Sequence, residues 1–371
     1  MAQINNVLVL FGGVSTEHKV SCRSAYAIIK GLQAAGYNVK AIGITLDGEW
    51  IPFKADLKYI RSENWLDYAK KALEKEPLRS ISSEKISSPR YFIKYLCDGV
   101  SPDLVYLALH GINGEDGAIQ GFLEICGLPY IGSNVFSSAL CMDKVYTKLV
   151  LNNSDIPQLD FAVVRRSDLN HDHQAIIKDI ESKFSYPIFL KPANGGSSVG
   201  TTKVNSREEL KSGLKMVLEF DSKALIEPFY PSREIEVACL GNDEVKVASP
   251  GEIMKSKGVE YYDYETKYAD NAAGLDIPAK LKPETINKLQ TYAQNIYKMM
   301  SCEGLARVDF FVSEDESEIY FNEINTLPGF TSISLYPSAW DAAGKDIATL
   351  LKEICELAID AHIKSKRKID V

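Results

Sequence analysis

VLVLFGGVSTEHKVSCRSAYAIIKGLQAAGYNVKAIGI, residues 7–44, decides the fold class. Val7-Leu-Val-Leu-Phe11 is an unbroken apolar run of strand length, and Gly12-Gly13 turns the chain. Residues 19–35 place apolar side chains at helical spacing and stop at Gly36, and Val39–Ile44 is a second strand. A strand, a helix and a strand in succession imply a parallel sheet, so the chain reads as α/β.

Outward from this unit, residues 46–95 are less regular, with Pro52, the mixed-charge run KKALEKEPLR and the serine cluster SISSEKISSP. They are expected to be a partly exposed elaboration of the first domain. Asp103–Leu109 is a strong buried strand followed by the loop HGINGEDG, a helix over 118–126 and a short strand, Pro129–Ile131. One helix over 134–151 opens a second region, with strands near 159–164 and 187–191. A third region starts near 229, with a strand at Glu234–Cys239, a polar aromatic loop over 255–275, a helix over 283–300, strands at 305–312 and 318–324 and a last helix over 346–363. The expected domains are therefore 1–133, 134–228 and 229–371, the last with α+β character.

Composition narrows the function. The 371 residues suit two or three domains, and 45% apolar with 25% charged residues is ordinary for a soluble globular protein. No window supplies the ~18 uncharged apolar residues of a membrane span, and the N-terminus lacks the basic flank of a signal peptide. A net charge of −8 disfavours nucleic acid as a partner. Seven scattered cysteines without a CxxC pair point to reduced thiols in a cytoplasm. Five histidines without HExxH leave little case for a zinc enzyme.

Three local patterns carry chemistry. Leu305-Ala-Arg-Val-Asp-Phe-Phe311 and Glu318-Ile-Tyr-Phe-Asn-Glu-Ile-Asn325 read as paired strands joined by the acidic turn SEDES. Side chains two apart on a strand share a face, so Arg307 points with Asp309, and Glu323 with Asn325. Oxygen ligands and a cation converging in this way suit Mg²⁺ beside a phosphate. The same alternation also suits a hairpin with a polar, half-exposed face. Lys191-Pro-Ala-Asn-Gly-Gly-Ser-Ser-Val-Gly200 offers backbone N–H groups for an anion. It is not a Walker A loop, because the lysine precedes the glycines, and an ordinary flexible turn remains open. Lys191 at the end of a buried strand needs an anion or solvent. Gly12-Gly-Val-Ser-Thr-Glu-His-Lys19 lies between strand and helix at the edge of the sheet order, where α/β proteins bind ligands, and it also suits a plain βα turn. His110 follows another strand end and is either structural or turned to the same crevice. Tyr261–Tyr268 is either a surface loop or a lid that excludes water.

In their order, GGxSxE, HGxxGEDG, MDK, KPxxxGSSVG, YDYxxKY, RVDF and NEINTLPGFTS resemble the D-alanine–D-alanine ligases of the ATP-grasp superfamily, over about residues 7–350. Residues 45–95 and the last dozen carry none of the likeness. PGFTSISL and the Lys267-Tyr268 pair separate these ligases from relatives such as biotin carboxylase. The resemblance implies a three-domain ATP-grasp fold with an N-terminal parallel-sheet domain. It implies a cytoplasmic homodimer that joins two D-alanines for peptidoglycan precursors.

The resemblance also implies roles. Phosphorylation by ATP turns one carboxylate into an acyl phosphate, and the second amine attacks it. Asp309 and Glu323 would hold one Mg²⁺, and Glu323 and Asn325 a second, with Mn²⁺ as a substitute. Lys144, Lys191 and Lys267 would contact ATP phosphates, with Ser197, Ser198 and Asn322 also at the nucleotide. Glu227 and Glu234 would bind adenine and ribose. The hinge donor would be Tyr230, because Pro228 has only its carbonyl to offer. Glu17 would pair with the ammonium of the first D-alanine, near His110, in a network with Ser197 and Tyr268. Ser334, the Leu335 N–H and Lys267 would receive the second carboxylate. Arg307 and the Gly329 N–H would stabilise the oxyanion, Arg307 making no structural salt bridge. D-lactate enzymes of the family lack the Lys-Tyr pair, which disfavours a D-Ala–D-lactate product. D-Ala–D-Ser ligation and a non-catalytic nucleotide-binding relative also stay open.

Overall fold

Residues 4–62, 64–78, 88–170, 173–254, 274–331 and 333–366 are described by the computed structural model. Strands β1 (Asn6–Gly12), β2 (Asn38–Ile44), β3 (Trp50–Pro52) and β4 (Leu104–Leu109) form a sheet of order β3-β2-β1-β4. β1 pairs in parallel with both β2 and β4, and β3 is antiparallel to β2. Burial on both faces explains the continuous apolar runs in β1 and β4. The helix His18–Ala34 covers one face, and Ser21 ties it down. Its hydroxyl accepts the Gly12 N–H at 2.7 Å and donates to the Ala108 carbonyl at 2.5 Å.

β1 therefore lies inside the sheet, not at its edge as the chain order suggested. The chain runs from β1 to β2 on one side and returns to β4 on the other. The loops after β1 and β4 thus meet at a point where the strand order reverses, a usual ligand crevice. Residues 46–95 are also more deeply built in than expected. Ile60, Trp65, Ala69 and Ile93 all enter the main core.

β5 (Ala162–Arg165), β6 (Ile188–Pro192), β7 (Thr202–Val204) and β8 (Lys223–Pro228) make an antiparallel sheet of order β5-β8-β6-β7. Helices His173–Lys183 and Arg207–Phe220 pack on it. β9 (Arg233–Gly241), β10 (Val245–Val247), β11 (Gly251–Met254), β12 (Gly274–Asp276), β13 (Gly304–Val312) and β14 (Ile319–Asn325) make the third sheet, of order β12-β11-β9-β13-β14 with β10 beside β9.

The single helix expected over 134–151 is two, Val135–Met142 and Lys144–Leu151. Asp143 breaks it with an extended backbone and caps the second helix, accepting the Val145 and Tyr146 N–H groups at 3.1 and 3.2 Å. The break sets Lys144 at a helix start. The last helix, Ile347–Ser365, belongs to the core of the first sheet. Leu350, Leu351 and Ile354 are fully buried there, on the order of 2 kcal/mol each. Gly31 makes room, since a Cβ would lie 2.4 Å from Leu351 Cδ1.

Candidate active site

A cleft of about 910 Å³, including its open mouth, is lined from both antiparallel sheets. β6 supplies Phe189 and Lys191, β8 Glu227 and Pro228, β9 Glu234, β13 Phe311, and β14 Asn322 and Glu323. The loop after β6 adds Gly195, Gly196, Ser197 and Ser198, and Lys144 reaches in from its helix.

On β14, Asn322 and Glu323 are consecutive yet both line the cleft. Strict alternation would send them to opposite faces. A bulge resolves this: Asp309 faces Glu323 across the ladder but Phe310 faces Phe321, so Asn322 is the extra residue. Val308 faces Ile324 and then Arg307 faces Asn325, so Arg307, Asp309, Glu323 and Asn325 share one face as alternation required.

Charge pairing across this face is dense. Lys144 Nζ lies 3.1 Å from Glu323 and donates to the Gly195 carbonyl at 2.6 Å. Lys191 Nζ lies 2.8 Å from Glu227 and 3.2 Å from Asn322 Oδ1. Burial opposes the Lys191 charge, but Glu227, Glu323 and Glu234 together hold its pKa above the ordinary lysine value. Burial likewise opposes the Glu227 carboxylate, yet Lys191 and Lys148 outweigh it and hold its pKa at about 2.

Arg307 departs from expectation. It forms a bidentate ion pair with Asp309, at 2.8 and 2.7 Å, and reaches Glu236 at 2.9 Å. The guanidinium is thus part of a salt-bridge network because β9 places Glu236 beside it. Asp309 also accepts from the Asn325 amide at 3.0 Å. Among the described residues no three His, Cys, Asp or Glu side chains form a metal cage. Two carboxylates and a carboxamide instead suit a hard cation that completes its shell with phosphate and water.

A second group of residues gathers at the strand-order reversal. Ser197 Oγ donates to Glu17 Oε1. Glu17 Oε2 is buried, and among the described residues no donor reaches it. Gly111 and Gly196 crowd this oxygen: a Cβ on either would lie 2.5 or 2.2 Å from it. His110 is buried, and burial lowers its pKa. Its Nδ1–H donates to the Leu327 carbonyl at 3.0 Å, so Nε2 accepts from Ser24 Oγ at 2.9 Å. Ser24 Oγ accepts the Phe330 N–H at 3.3 Å. Glu115 accepts the Gly111 and Leu327 N–H groups at 2.8 and 3.1 Å, while burial and nearby Glu17 push its pKa up to about 8. These residues fix the loop that presents Gly329. Ser334, whose hydroxyl accepts the Thr331 N–H at 3.0 Å, stands beside Gly329 at the N-cap position of the helix Leu335–Ala342, without a side-chain capping bond.

Two family models match the chain: D-ala D-ala ligase N-terminus over residues 6–133 and D-ala D-ala ligase C-terminus over 150–356. The chain belongs to the D-alanine–D-alanine ligase family. The D-alanine–D-alanine ligase of Clostridium novyi (strain NT) is 45% identical over 358 residues, covering 96% of this chain and 99% of that protein. The ligase of Acetivibrio thermocellus is 40% identical with 100% of both chains covered. Among solved structures, the Coxiella burnetii D-alanine–D-alanine ligase has a TM-score of 0.78 at 35% identity, covering 98% of this chain and 96% of that one. The VanG D-Ala:D-Ser ligase of Enterococcus faecalis has a TM-score of 0.79 at 33% identity, covering 96% and 100%. The chain is an ATP-dependent ligase of ATP-grasp fold, as its motifs implied.

The structure brings together Lys144, Lys191, Ser197, Ser198, Glu227, Pro228, Tyr230, Glu234, Asn322 and Glu323 around the cleft. Phe229's N–H is taken by the Pro187 carbonyl at 3.0 Å. The Tyr230 hydroxyl donates to Glu318 at 2.7 Å. Lys267, Tyr268 and the rest of the expected lid, Tyr261–Tyr268, lie outside the described residues, and the end of the loop expected over 255–275 is strand instead, Gly274 and Leu275 belonging to β12. Sequence reading missed Lys148, Glu236, Ser24 and Glu115. The only local signal for Lys148 is its position one helical turn after Lys144. All seven cysteines are free and buried. No helix among the described residues is long and apolar enough to cross a membrane.

Proposed function

We propose that this ligase binds ATP in the cleft between the two antiparallel sheets and two D-alanines beside Glu17, and makes D-alanyl-D-alanine for peptidoglycan precursors. The observation that carries the substrate assignment is Glu17 Oε2, a buried carboxylate oxygen without a donor among the described residues. Leaving such an oxygen unpaired is costly, and a substrate ammonium satisfies it.

Lys144 and Lys191 hold the phosphates with Ser197 and Ser198, and Lys267 joins them. Glu227 accepts from the adenine amine and Glu234 from the ribose. The first D-alanine carboxylate attacks the terminal phosphorus, ADP leaves, and an acyl phosphate remains. The second amine then adds to the acyl carbon, giving a tetrahedral oxyanion beside Arg307 and the Gly329 N–H. Collapse expels inorganic phosphate, which carries one oxygen of the first carboxylate. Ser334 and the Leu335 N–H, at a helix N-terminus, receive the second carboxylate. Asp309, Glu323 and Asn325 would hold Mg²⁺, Glu323 serving both ions, and the metal would supply charge neutralisation at the phosphate oxygens.

The three units 1–133, 134–228 and 229–371, a homodimer and a cytoplasmic setting complete this reading. The relatives with 40–45% identity carry the D-alanine–D-alanine name, against 33% for the D-Ala:D-Ser enzyme, which favours D-alanine at the second site. Isotope transfer tests the chemistry. D-alanine labelled with ¹⁸O in its carboxylate is expected to yield one ¹⁸O in the released phosphate. Phosphate without label would rule the acyl phosphate out.

A further inference from the structure

Lys148 has no place in the chemistry above, yet it is the most deeply buried lysine at the site. Its side chain is 0% exposed, and Nζ lies 2.7 Å from Glu227 Oε1. Nζ also sits 5.4 Å from the centre of the Phe161 ring. Lys148 does not line the cleft, whereas Glu227 and Lys191 do. It approaches Glu227 from behind, through the helix that begins at Lys144. Lys144 and Lys148 stand one turn apart on one helical face, the first reaching Glu323 and the second Glu227.

A buried lysine is costly without an anion, and a buried carboxylate between two lysines is not electrically balanced. The three charges Lys148, Glu227 and Lys191 sum to one positive charge. Lys148 satisfies Glu227 on the closed side. Lys191, on the cleft side, therefore keeps a net positive charge for an anion although it touches Glu227 at 2.8 Å. Each carboxylate oxygen takes one lysine and retains a lone pair, so Glu227 can still accept from a ligand.

We propose that Lys148 is a positioning residue for the nucleotide: it holds Glu227 in place to accept from the purine amine and frees the Lys191 charge for phosphate. This rests on the placement of ATP in the cleft. Without Lys148, Lys191 becomes the main counter-charge of Glu227 and turns from the phosphates. ATP binding suffers, while the D-alanine sites around Glu17 and Ser334 are untouched. Base choice also relaxes. A fixed carboxylate favours the 6-amino group of ATP over the 6-oxo group of ITP, and a carboxylate that has moved discriminates less.

The test compares Lys148→Met, Glu227→Gln and the double variant by steady-state kinetics with ATP and ITP. Lys148→Met is expected to raise the KM for ATP about tenfold or more, the loss of one charged hydrogen bond. At saturating ATP, kcat and the KM for D-alanine stay within about threefold, and the preference for ATP over ITP shrinks. An unchanged ATP KM and base preference in Lys148→Met, with both changed in Glu227→Gln, overturns the proposal and leaves the cleft assignment standing. If Glu227→Gln also changes neither, the ATP placement itself fails. Should Lys148→Met not fold, the double variant decides, because it leaves no lone buried carboxylate. Its ATP KM is expected to match that of Glu227→Gln alone, and a further increase contradicts action through Glu227.

Discussion

Ser197 and Glu17, 180 positions apart in the chain, share one hydrogen bond, the serine hydroxyl donating to the carboxylate. This contact joins the glycine loop of the cleft between the two antiparallel sheets to the first βα turn. The loop is shaped for it. Ser197 and Ser198 take left-handed backbone angles, φ 50° and 59°, unusual for residues with a Cβ. Such a conformation costs on the order of 1–3 kcal/mol and persists where surrounding contacts fix it.

Gly196→Ala tests the closeness of that contact. The new methyl group would lie 2.2 Å from Glu17 Oε2. Either the carboxylate or the loop must move. We expect kcat/KM for D-alanine to fall roughly 100-fold, the cost of a small misplacement at a reacting centre. Thermal unfolding should change little. Unimpaired turnover would show that Glu17 does not fix the first substrate.

Arg307→Met leaves Asp309 and Glu236 without their guanidinium. Turnover should fall about 10²–10³-fold, and urea unfolding should show a loss of roughly 3 kcal/mol. Adding Asp309→Asn should recover part of the stability and none of the turnover. Recovered turnover would make Arg307 purely structural.

Much of this site was legible because its motifs are local. The Lys191–Gly200 loop and the Arg307–Asn325 hairpin carry their chemistry within a few residues, and alternation places four side chains on one face. Asn322 was assigned by resemblance alone, since only the bulge brings it beside Glu323. The break at Asp143 was hidden because apolar residues continue at helical spacing across it. Lys148, Glu115 and Ser24 were invisible for another reason: their partners Glu227, Leu327 and Phe330 come from remote strands and loops. Arg307 was read as making no structural salt bridge because Glu236 lies on β9, far away in sequence.

Glu227 makes stability depend on acid. Its folded pKa of about 2 lies below the ordinary 4.5. The contribution is therefore complete above about pH 4.5 and is lost as pH falls toward 2, on the order of 3 kcal/mol in all. The unfolding free-energy difference between wild type and Glu227→Gln should shrink across that window. A constant difference would mean the carboxylate is not held by its lysines.

Glu323→Gln removes the carboxylate expected to bridge two Mg²⁺ ions and paired with Lys144 at 3.1 Å. Turnover should vanish at ordinary Mg²⁺ concentration, with the circular dichroism spectrum unchanged. Normal turnover would move the metal elsewhere.

The most direct measurement is phosphate release by wild-type protein with ATP and Mg²⁺, comparing D-alanine with L-alanine, D-serine and D-lactate. D-alanine should drive release and yield the dipeptide, with L-alanine inert and D-lactate poor at neutral pH. Folded protein that releases no phosphate with D-alanine, or that prefers D-lactate, would contradict the account.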